Sequence, residues 1–284
     1  MWVTCPRSRQ TSRPRLMSFT LATWNINSVR FRIRQVGMFL DRYAPDILCL
    51  QETKCPDDRF PLKPFRSRGY EHVLLNGQKG YHGVAILSRI PFLSTSKRGF
   101  CQKGDARHAA VTVADGGDDI LIHNFYIPAG GDIPDPTIND KFAHKLAFLD
   151  EMTTWLTGPE TDRRSILVGD LNVAPLENDV WSHKQLLRIV SHTPIETERL
   201  EQVRAAGGWV DAMRRFVPPE EKLYTWWSYR AANWALANKG RRLDHVWVTP
   251  HLVDRLESTE VIRATRSWKR PSDHVPVIAR IGAA

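Results

Sequence analysis

Short apolar runs bounded by Gly, Pro, Asn and Asp dominate the hydrophobic pattern of this chain. "FTLATWNI", "DILCLQET" and "RSILVGDLN" predict buried strands. Two longer stretches, 71–89 and 108–128, predict hairpins that turn at Asn76-Gly77 and at Gly116-Gly117. Four more strands are predicted near the C-terminus, in "LYTWWSYR", "RRLDHVWVT", "STEVIRA" and "DHVPVIARI".

Helical spacing of apolar residues alternates with these strands. It occurs at 30–42, at 138–157, where Phe142 and Leu146 share a face, and at 196–206. Hairpins mixed with helices are typical of an α+β fold, in which sheets pack on each other and helices lie outside. We therefore expect a sheet sandwich flanked by helices.

Polar side chains follow or border several of the predicted strands, where a core strand would normally end in a turn. A single Asp or Asn at such a position is usually a turn former or a helix cap. Several together indicate a site, because the strand ends of one sandwich edge meet at one rim. They are Asn25, Asn27, Glu52, Asn124, Tyr126, Asp170, Asn172, Asp244, Asp273 and His274.

The chemistry of this set favours a hard cation. Carboxylate and amide oxygens without cysteine suit Mg²⁺, whereas zinc would require more His or Cys. A metal, a carboxylate base, a His and a Tyr are the groups needed to hydrolyse a phosphoester. The metal stabilises charge on the phosphate, and the carboxylate takes a proton from water.

Composition narrows the class of partner. The 284 residues include 40 Lys and Arg against 31 Asp and Glu, a formal charge of +9, which favours a polyanion such as nucleic acid, an anionic membrane surface or a phosphorylated metabolite. No apolar run approaches the roughly eighteen residues that a membrane span needs. The 4 cysteines lack zinc-site spacing, so we expect free thiols in a reducing compartment.

Residues 1–17 differ from the rest of the chain. They are basic, contain no acid and show little apolar periodicity. They fit a transit peptide, a disordered arm that touches phosphates, or a start codon assigned too far upstream of Met17. We favour the last and expect disorder there. Residues 18–284 contain no low-complexity linker and are predicted to form one catalytic domain.

Eight motifs cover the chain from about residue 18 to the C-terminus. They are "WNINSVR" (24–30), "LQETK" (50–54), "KGYHGVAILSR" (79–89), "YIPAG" (126–130), "GDLNVAP" (169–175), "YTWWSYR" (224–230), "RRLDHVWV" (241–248) and "SDHVPV" (272–277). In this order they resemble the exonuclease III family of apurinic/apyrimidinic endonucleases, within the endonuclease/exonuclease/phosphatase superfamily. The resemblance implies a four-layer αββα sandwich of two mostly antiparallel sheets. It also implies Mg²⁺- or Mn²⁺-dependent cleavage of DNA 5′ to abasic sites, often with 3′-end trimming.

The resemblance assigns roles to the polar residues. Asp170 would position or deprotonate the attacking water, and Asn172 would bind the phosphate or a second metal. His274, oriented by Asp244, would hold a phosphoryl oxygen, and Tyr126 would contact the phosphate. The implied catalytic set is Tyr126, Asp170, Asn172, Asp244 and His274. The implied metal ligands are Asn25, Glu52, Asp170, Asn172, Asp273 and His274, with Glu52 as the principal one.

DNA contacts are predicted from the same motifs and from the basic residues. Trp226 would line the pocket for the baseless sugar; Trp226 and Trp227 cannot both do so, and one is expected in the core. Lys141, Arg241 and Lys269 are further candidates for phosphate contacts. The predicted DNA-binding residues are Lys54, Arg107, Lys145, Trp226 and Arg230.

Two alternatives stay open at this stage. One is a metal-dependent phosphatase or phosphodiesterase that acts on a small phosphorylated molecule. The other is a DNA-binding relative without catalysis, which the intact polar set disfavours. The favoured hypothesis is a monomeric DNA-repair nuclease that acts on duplex DNA with abasic sites or blocked 3′ ends. It would contact no membrane and would work in the cytoplasm, at the nucleoid.

Overall fold

The computed structural model describes residues 18–116, 118–157 and 163–283. The predictions for the basic extension, residues 1–17, lie outside the described residues, as does Gly117 of the second predicted turn. In the described part of the chain, no helix combines the length and the apolar character required to cross a membrane.

Two six-stranded mixed sheets form the centre of the molecule. The first contains, in spatial order, β13 (Leu256–Val261), β14 (Val277–Ile281), β1 (Phe19–Asn25), β2 (Ile47–Gln51), β4 (Val84–Ser88) and β3 (His72–Asn76). The second contains β5 (Phe92–Ser96), β6 (His108–Asp115), β7 (Asp118–Tyr126), β8 (Ser165–Asp170), β12 (Asp244–Val248) and β9 (Val210–Asp211). The pairs β1–β2 and β7–β8 are parallel, and the other neighbours are antiparallel.

The longer helices cover the outer faces of both sheets. The longer ones are α1 (Ile33–Tyr43), α3 (Asp140–Leu156) and α5 (Pro194–Ala206). The short ones are α2 (Lys63–Arg66), α4 (His183–Leu186), α6 (Ala212–Phe216) and α7 (Trp234–Ala237). Helix α5 begins with a capping box, in which Thr193 and Glu196 each satisfy a backbone N–H of the first turn.

The apolar pattern explains the layers. Along β1, Phe19 and Leu21 point into the core between the sheets, whereas Ala22 and Trp24 pack on the outer side with α1. This is the period of two that a strand imposes, and here both faces are buried. A third cluster packs α3 and α5 against the outside of the second sheet. The predicted α+β fold with four layers is therefore confirmed.

One edge of the sandwich collects the polar strand ends. Strands β1, β2, β7 and β8 deliver their C-terminal ends there, because the strands of each pair run parallel; both pairs lie at the centres of their sheets. Asp244 arrives differently from the prediction: it opens β12 rather than following a strand, and antiparallel pairing sets it opposite Asp170. Asp273 and His274 precede β14.

Asn124 does not belong to this edge. It lies within β7, fully buried, and its amide nitrogen donates to the carbonyls of Leu50 and Ala85, each over 3.0 Å. Its oxygen accepts a 2.7 Å hydrogen bond from Gln51. Asn124 therefore cross-links the two sheets. Its amide is fully buried, and these bonds supply the hydrogen-bond partners that a buried polar group requires.

The C-terminal half departs from the predicted strands in one place. "LYTWWSYR" forms only a two-residue strand, β10 (Trp226–Trp227), paired with β11 (Gly240–Arg241) in a small separate sheet. The elements without a counterpart among the predicted ones are strands β5 and β9 and the short helices α2, α4, α6 and α7. Strand β5 is mostly exposed, so its sequence, "FLSTS", carries no clear apolar alternation.

Candidate active site

Asn25 joins two carboxylates at the centre of the polar edge. Its amide nitrogen donates to Glu52 Oε1 over 2.9 Å and to Asp170 Oδ2 over 2.8 Å. Its amide oxygen accepts from the backbone N–H of Asn27 over 3.1 Å. One fully buried amide therefore connects the first sheet, which carries Asn25 and Glu52, to the second, which carries Asp170.

Glu52 is held from three directions. Besides Asn25, the Tyr126 hydroxyl donates to Oε1 over 3.0 Å, and the Lys54 ammonium lies 2.8 Å from Oε2. Burial would raise the pKa of Glu52, but Lys54 and Asn25 outweigh it and lower that pKa. The carboxylate is therefore ionised at neutral pH. Burial and the neighbouring carboxylates raise the pKa of Tyr126, so its hydroxyl keeps its proton.

Asp170 is the last residue of β8, next to a glycine at which two strands approach closely. Gly169 has a φ of 139°, and a Cβ there would lie 1.9 Å from the Phe125 carbonyl oxygen, so only glycine permits this approach. Beyond the strand, Asn172 donates its backbone N–H to Asp170 Oδ1 over 3.0 Å. Its amide nitrogen reaches Asp170 Oδ2 and the Ile127 carbonyl, over 3.1 and 2.9 Å.

His274 lies between two carboxylates. Nδ1 is 2.8 Å from Asp244 Oδ2, and Nε2 is 3.6 Å from Asp170 Oδ2. Burial would lower the pKa of His274, but Asp244 and Asp170 outweigh it and raise that pKa to about 10. Burial, together with Asp244, raises the pKa of Asp170 to about 7, against the opposing effect of His274. The ring is an imidazolium at neutral pH, with both nitrogens as donors.

Asp273 joins the site to the aromatic wall. Its Oδ2 accepts from the Trp226 indole over 3.0 Å, and its Oδ1 accepts from the Asn27 amide over 3.1 Å. Trp226 is partly exposed, whereas Trp227 is buried, with its indole bonded to Asn238 over 3.1 Å. Of the two tryptophans, Trp226 is the one that borders the candidate site.

Left-handed backbone is concentrated around these groups. Non-glycine residues avoid positive φ unless the surrounding structure enforces it, and such residues are frequent at functional sites. The residues of the site and its rim with φ between 46° and 84° are Asn27, Ser28, Glu52, Lys54, His82 and Asn172. The loops after β1, β2 and β8 are thus bent so that their polar side chains face one centre.

The donor set decides which residues could hold a metal. Asp170, Asp244 and His274 offer ligand atoms within 4.8 Å of one another. His274 stays a predicted ligand: its Nδ1 is committed to Asp244, and Nε2 is the nitrogen that faces Asp170. The oxygens of Glu52 and Asp170, joined through Asn25, form a hard, anionic set that suits Mg²⁺.

The predicted DNA-binding residues differ in how accessible they are. Lys54 lies in the site, and Arg230 is exposed beside the Trp226 strand. Arg107 is 5% exposed; it donates to the Tyr126 carbonyl over 3.2 Å and lies over the Tyr126 ring at 4.9 Å. Its DNA contact stays a prediction, and its visible contacts support Tyr126.

Lys145 is not where the sequence prediction placed it. The prediction of a DNA contact is wrong, because the side chain is fully buried and its ammonium is paired with Glu196. The helical spacing of α3 set Lys145 beside Phe142 and Leu146, and nothing local in the sequence revealed that a carboxylate 51 residues away would bury the charge.

His82 is a rim residue that was not among the predicted site residues. Its ring lies 6.1 Å from the Tyr126 ring, and Nε2 is 3.8 Å from Asp105 and 3.5 Å from Arg107. Burial and the Arg107 charge lower the pKa of His82, so the ring is neutral. Its place within "KGYHGVAILSR", a motif already matched, was the available indication.

Two hydroxyls support the site from behind and were also missed. Ser272 donates to the backbone carbonyl of Asn25 over 2.8 Å. The Thr225 hydroxyl accepts from the backbone N–H of Asp244 over 3.0 Å. Both are buried, and both act on backbone atoms, so no side-chain pattern in the sequence points to them.

Comparisons with known proteins agree with this geometry. The sequence model of the Endonuclease/Exonuclease/phosphatase family matches residues 22–274. Exodeoxyribonuclease III of Haemophilus influenzae is 29% identical over 266 residues, which cover 90% of this chain and 97% of that protein. The 3′ phosphatase NExo from Neisseria, solved with a product DNA hairpin, has a TM-score of 0.83 at 31% identity, covering 93% of this chain and 99% of that one. An AP endonuclease from Archaeoglobus fulgidus has a TM-score of 0.83 at 31% identity, covering 92% and 98%.

Proposed function

Because this chain belongs to the Endonuclease/Exonuclease/phosphatase family, we propose that it is a DNA-repair nuclease that hydrolyses the phosphodiester 5′ to abasic sites in duplex DNA. We include 3′-to-5′ exonuclease action and trimming of blocked 3′ ends in the proposal. Relatives described as exodeoxyribonuclease III, AP endonuclease and 3′ phosphatase support this substrate class.

The observation that carries the proposal is the convergence of four charged groups at one edge. Glu52 and Asp170 share the Asn25 amide, and His274 connects Asp170 to Asp244. Two carboxylates, an imidazolium and a third carboxylate that orients it can bind and activate a water beside a phosphate. A binding module without catalysis would not need this arrangement.

We assign Mg²⁺ or Mn²⁺ as the cofactor and Glu52, Asp170 and Asp273 as the residues whose carboxylates would hold it. Asn25, a further predicted ligand, presents its amide nitrogen to Glu52 and Asp170 and so orients these two carboxylates. Asn172, a further predicted ligand, stays a secondary candidate. When bound, the cation would stabilise negative charge on the phosphate and on the leaving oxygen. The fit rests on hard oxygen donors, one of which, Glu52, is kept ionised by Lys54.

Asp170 is the base in this mechanism. It takes a proton from the attacking water, whose oxygen forms a bond to phosphorus as the bond from phosphorus to the 3′ oxygen breaks. The 3′ oxygen leaves and takes up a proton from solvent. The Asn172 backbone N–H and side-chain amide hold Asp170 in position, over 3.0 and 3.1 Å.

His274 acts on the phosphoryl group. With Nδ1 committed to Asp244, the proton on Nε2 can be donated to a phosphoryl oxygen, where charge grows in the transition state. Tyr126 stays protonated and donates its hydroxyl proton to Glu52, so its oxygen is the atom left to accept a hydrogen bond from the attacking water. Trp226 borders the site on the side of Asp273 and supplies an apolar surface for a sugar that carries no base.

We further propose that the enzyme acts as a monomer in the cytoplasm, at the nucleoid. The support for this is its similarity to a bacterial exodeoxyribonuclease III. Size-exclusion chromatography with light scattering tests the first part, and a mass twice that of the chain would contradict it.

Cleavage of labelled duplexes tests the function. One duplex carries a single tetrahydrofuran abasic analogue, one is undamaged with a free 3′ end, and one ends in a 3′-phosphate; each is incubated with Mg²⁺ or with EDTA. The proposal predicts a single metal-dependent nick 5′ to the analogue, with trimming of the ends at lower rates. Hydrolysis of an inositol phosphate without cleavage of any duplex would overturn it in favour of a small-molecule phosphatase.

A further inference from the structure

A buried ion pair lies behind the loop that follows β8, the loop that carries Asn172. The pair takes no part in the proposed mechanism. Lys145 on α3 and Glu196 on α5 are both 0% exposed, and the ammonium contacts Glu196 Oε1. Buried ion pairs contribute little to stability compared with apolar residues of the same volume, because desolvation offsets their attraction. The role of this pair therefore depends on the groups to which its members are hydrogen-bonded.

The Lys145 ammonium is bonded to the backbone next to the proposed base. Nζ donates to the Asn172 carbonyl over 2.7 Å and to the Ala129 carbonyl over 3.4 Å. Asn172 has a φ of 54°, left-handed backbone that asparagine tolerates better than most non-glycine residues. The ammonium therefore ties the loop after β8 to the loop after β7, at the residue whose side chain holds Asp170.

Glu196 in turn secures the segment before α5. Its two carboxylate oxygens accept from the Ser191 N–H, each over 2.9 Å, and Oε2 accepts from the Thr193 hydroxyl over 2.6 Å. The Ser191 hydroxyl accepts from Arg241 over 2.7 Å, and the Arg241 guanidinium lies 5.2 Å from the centre of the Trp226 ring. Hydrogen bonds thus run from the loop after β8 to Arg241, and a cation–π contact continues from Arg241 to Trp226.

The "YIPAG" loop is packed against the same lysine. A Cβ on Gly130 would lie 2.9 Å from Lys145 Cδ and 3.0 Å from Val190. The neighbouring Gly131 has similar left-handed backbone, but a Cβ there would meet Asn139 instead. Glycine at 130 therefore lets the lysine stem pass between the two loops.

We propose that Lys145 and Glu196 are positioning residues of the nuclease: the pair holds the Asn172 backbone, and through it Asp170, in the geometry for attack. This inference rests on the proposed function for its kinetic consequences. A displacement of about 1 Å at a reacting group can cost about 100-fold in rate, so the loop need move only slightly.

The first test removes both charges together. Lys145→Met/Glu196→Gln keeps the volume and leaves an acceptor for Ser191 and Thr193. We expect kcat on the abasic duplex to fall at least about 10-fold, with KM within about 3-fold, in a folded protein. Asp115→Asn/Arg255→Met is the matched control, because Asp115 and Arg255 form another buried ion pair, at the end of β6 that lies away from the active site. This variant should leave kcat within about 2-fold.

A double-mutant cycle separates positioning from general loosening. Asn172→Ala removes the side-chain bond to Asp170 and keeps the backbone N–H bond, so replacement of the pair in that background should lower kcat by less than it does in the wild-type background. The same loss of kcat in both backgrounds would overturn the proposal, and so would an unchanged kcat in the folded Lys145→Met/Glu196→Gln variant.

A second variant covers the case in which the double variant does not fold. Gly130→Ala leaves both charges in place and pushes on the lysine stem, whereas Gly131→Ala carries a similar backbone penalty without touching it. We expect kcat to fall more for Gly130→Ala. Equal values of kcat for the two would contradict the proposal.

The last readout does not depend on nuclease activity. In protein labelled with ¹⁵N-asparagine, the Asn172 side-chain amide, assigned by its loss in Asn172→Asp, should exchange slowly, because it donates to Ile127 and Asp170. Lys145→Met/Glu196→Gln should speed that exchange at least about 10-fold, and unchanged exchange would overturn the proposal. If the wild-type protein cleaves no DNA and the double variant still exchanges this amide faster, the proposed function is refuted and the positioning role stands.

Discussion

The Nδ1 atom of His274 lies 2.8 Å from Oδ2 of Asp244, and this bond orients the ring toward Asp170. The two residues come from different sheets, His274 from the segment before β14 and Asp244 from the start of β12. Their pairing therefore exists only when the sandwich is closed. It makes the imidazolium a stable part of the resting site, with consequences for activity and for its dependence on pH.

Asp244→Asn should lower kcat and make the enzyme sensitive to alkali. Asp244 is a main reason that the pKa of His274 is raised to about 10, so the variant should lose its imidazolium near neutral pH. We expect kcat on the abasic duplex to fall about 100-fold at pH 7.5. The alkaline limb of the pH–rate profile should move down by at least about one unit. Asp150→Asn, on the exposed face of α3, is the control and should leave both unchanged.

Asp170→Asn should nearly abolish cleavage without weakening DNA binding. The variant keeps the shape and one accepting oxygen. Its new amide nitrogen cannot accept from the N–H donors that faced the lost oxygen, and it cannot take the proton from water. We expect kcat to fall at least about 1,000-fold at saturating Mg²⁺, with the Kd for the abasic duplex within about 3-fold. Single-turnover kinetics and gel-shift titration measure the two quantities. Near-wild-type cleavage would show that another group is the base.

Glu52→Gln should raise the Mg²⁺ concentration that activity requires. Glu52 is the carboxylate that Lys54 and Asn25 keep ionised, so its neutral replacement removes charge from the proposed cation site. The Mg²⁺ concentration for half-maximal activity should rise about 10- to 100-fold, with recovery at high Mg²⁺. Glu151→Gln, far from Glu52 on α3, is the control. An unchanged Mg²⁺ titration for Glu52→Gln would exclude it as the principal ligand.

Trp226 should have two separable roles. Trp226→Phe keeps an aromatic wall but removes the 3.0 Å bond to Asp273, whereas Trp226→Ala removes both. If the wall selects the baseless sugar, Trp226→Ala should raise KM for the abasic duplex about 10-fold or more and Trp226→Phe much less. Similar KM values for both variants would assign the effect to Asp273 instead.

The fold should lose stability in acid because of two histidines inside the second sheet. Burial lowers the pKa of His123 to about 3 and that of His108 well below its usual value. The unfolded chain takes up these protons below about pH 6.5 and the folded protein does not. Stability is therefore fully present above that pH and falls toward pH 4, by up to about 1.4 kcal/mol per pH unit for each ring.

Urea denaturation between pH 7.5 and 4.5 measures this effect. His123→Gln should be less stable at pH 7.5 but should show a shallower loss toward acid pH. His251→Gln, at an exposed position, should reproduce the wild-type slope. A wild-type slope in His123→Gln would assign the acid sensitivity to other groups.

Local patterns in the sequence carried the prediction of the main strands and of the polar residues at their ends. A strand buried on both faces needs a continuous apolar run, and a carboxylate at its end is visible within a few residues, as in "LQET" and "GDLN". The residues that these motifs supply, Glu52 and Asp170, are joined in the structure by one amide. No distant information was needed to select them.

Tertiary structure decided what each polar group faces. Lys145 looked like a surface cation, and Asn124 looked like a strand end, yet the first is buried against Glu196 and the second links two sheets. Trp226 and Trp227 are adjacent in sequence, and only the packing of β10 beside Asp273 makes the former the exposed one. The physical reason is that burial of a charge or an amide depends on partners tens of residues away, whereas hydrophobic periodicity depends only on neighbours along the chain.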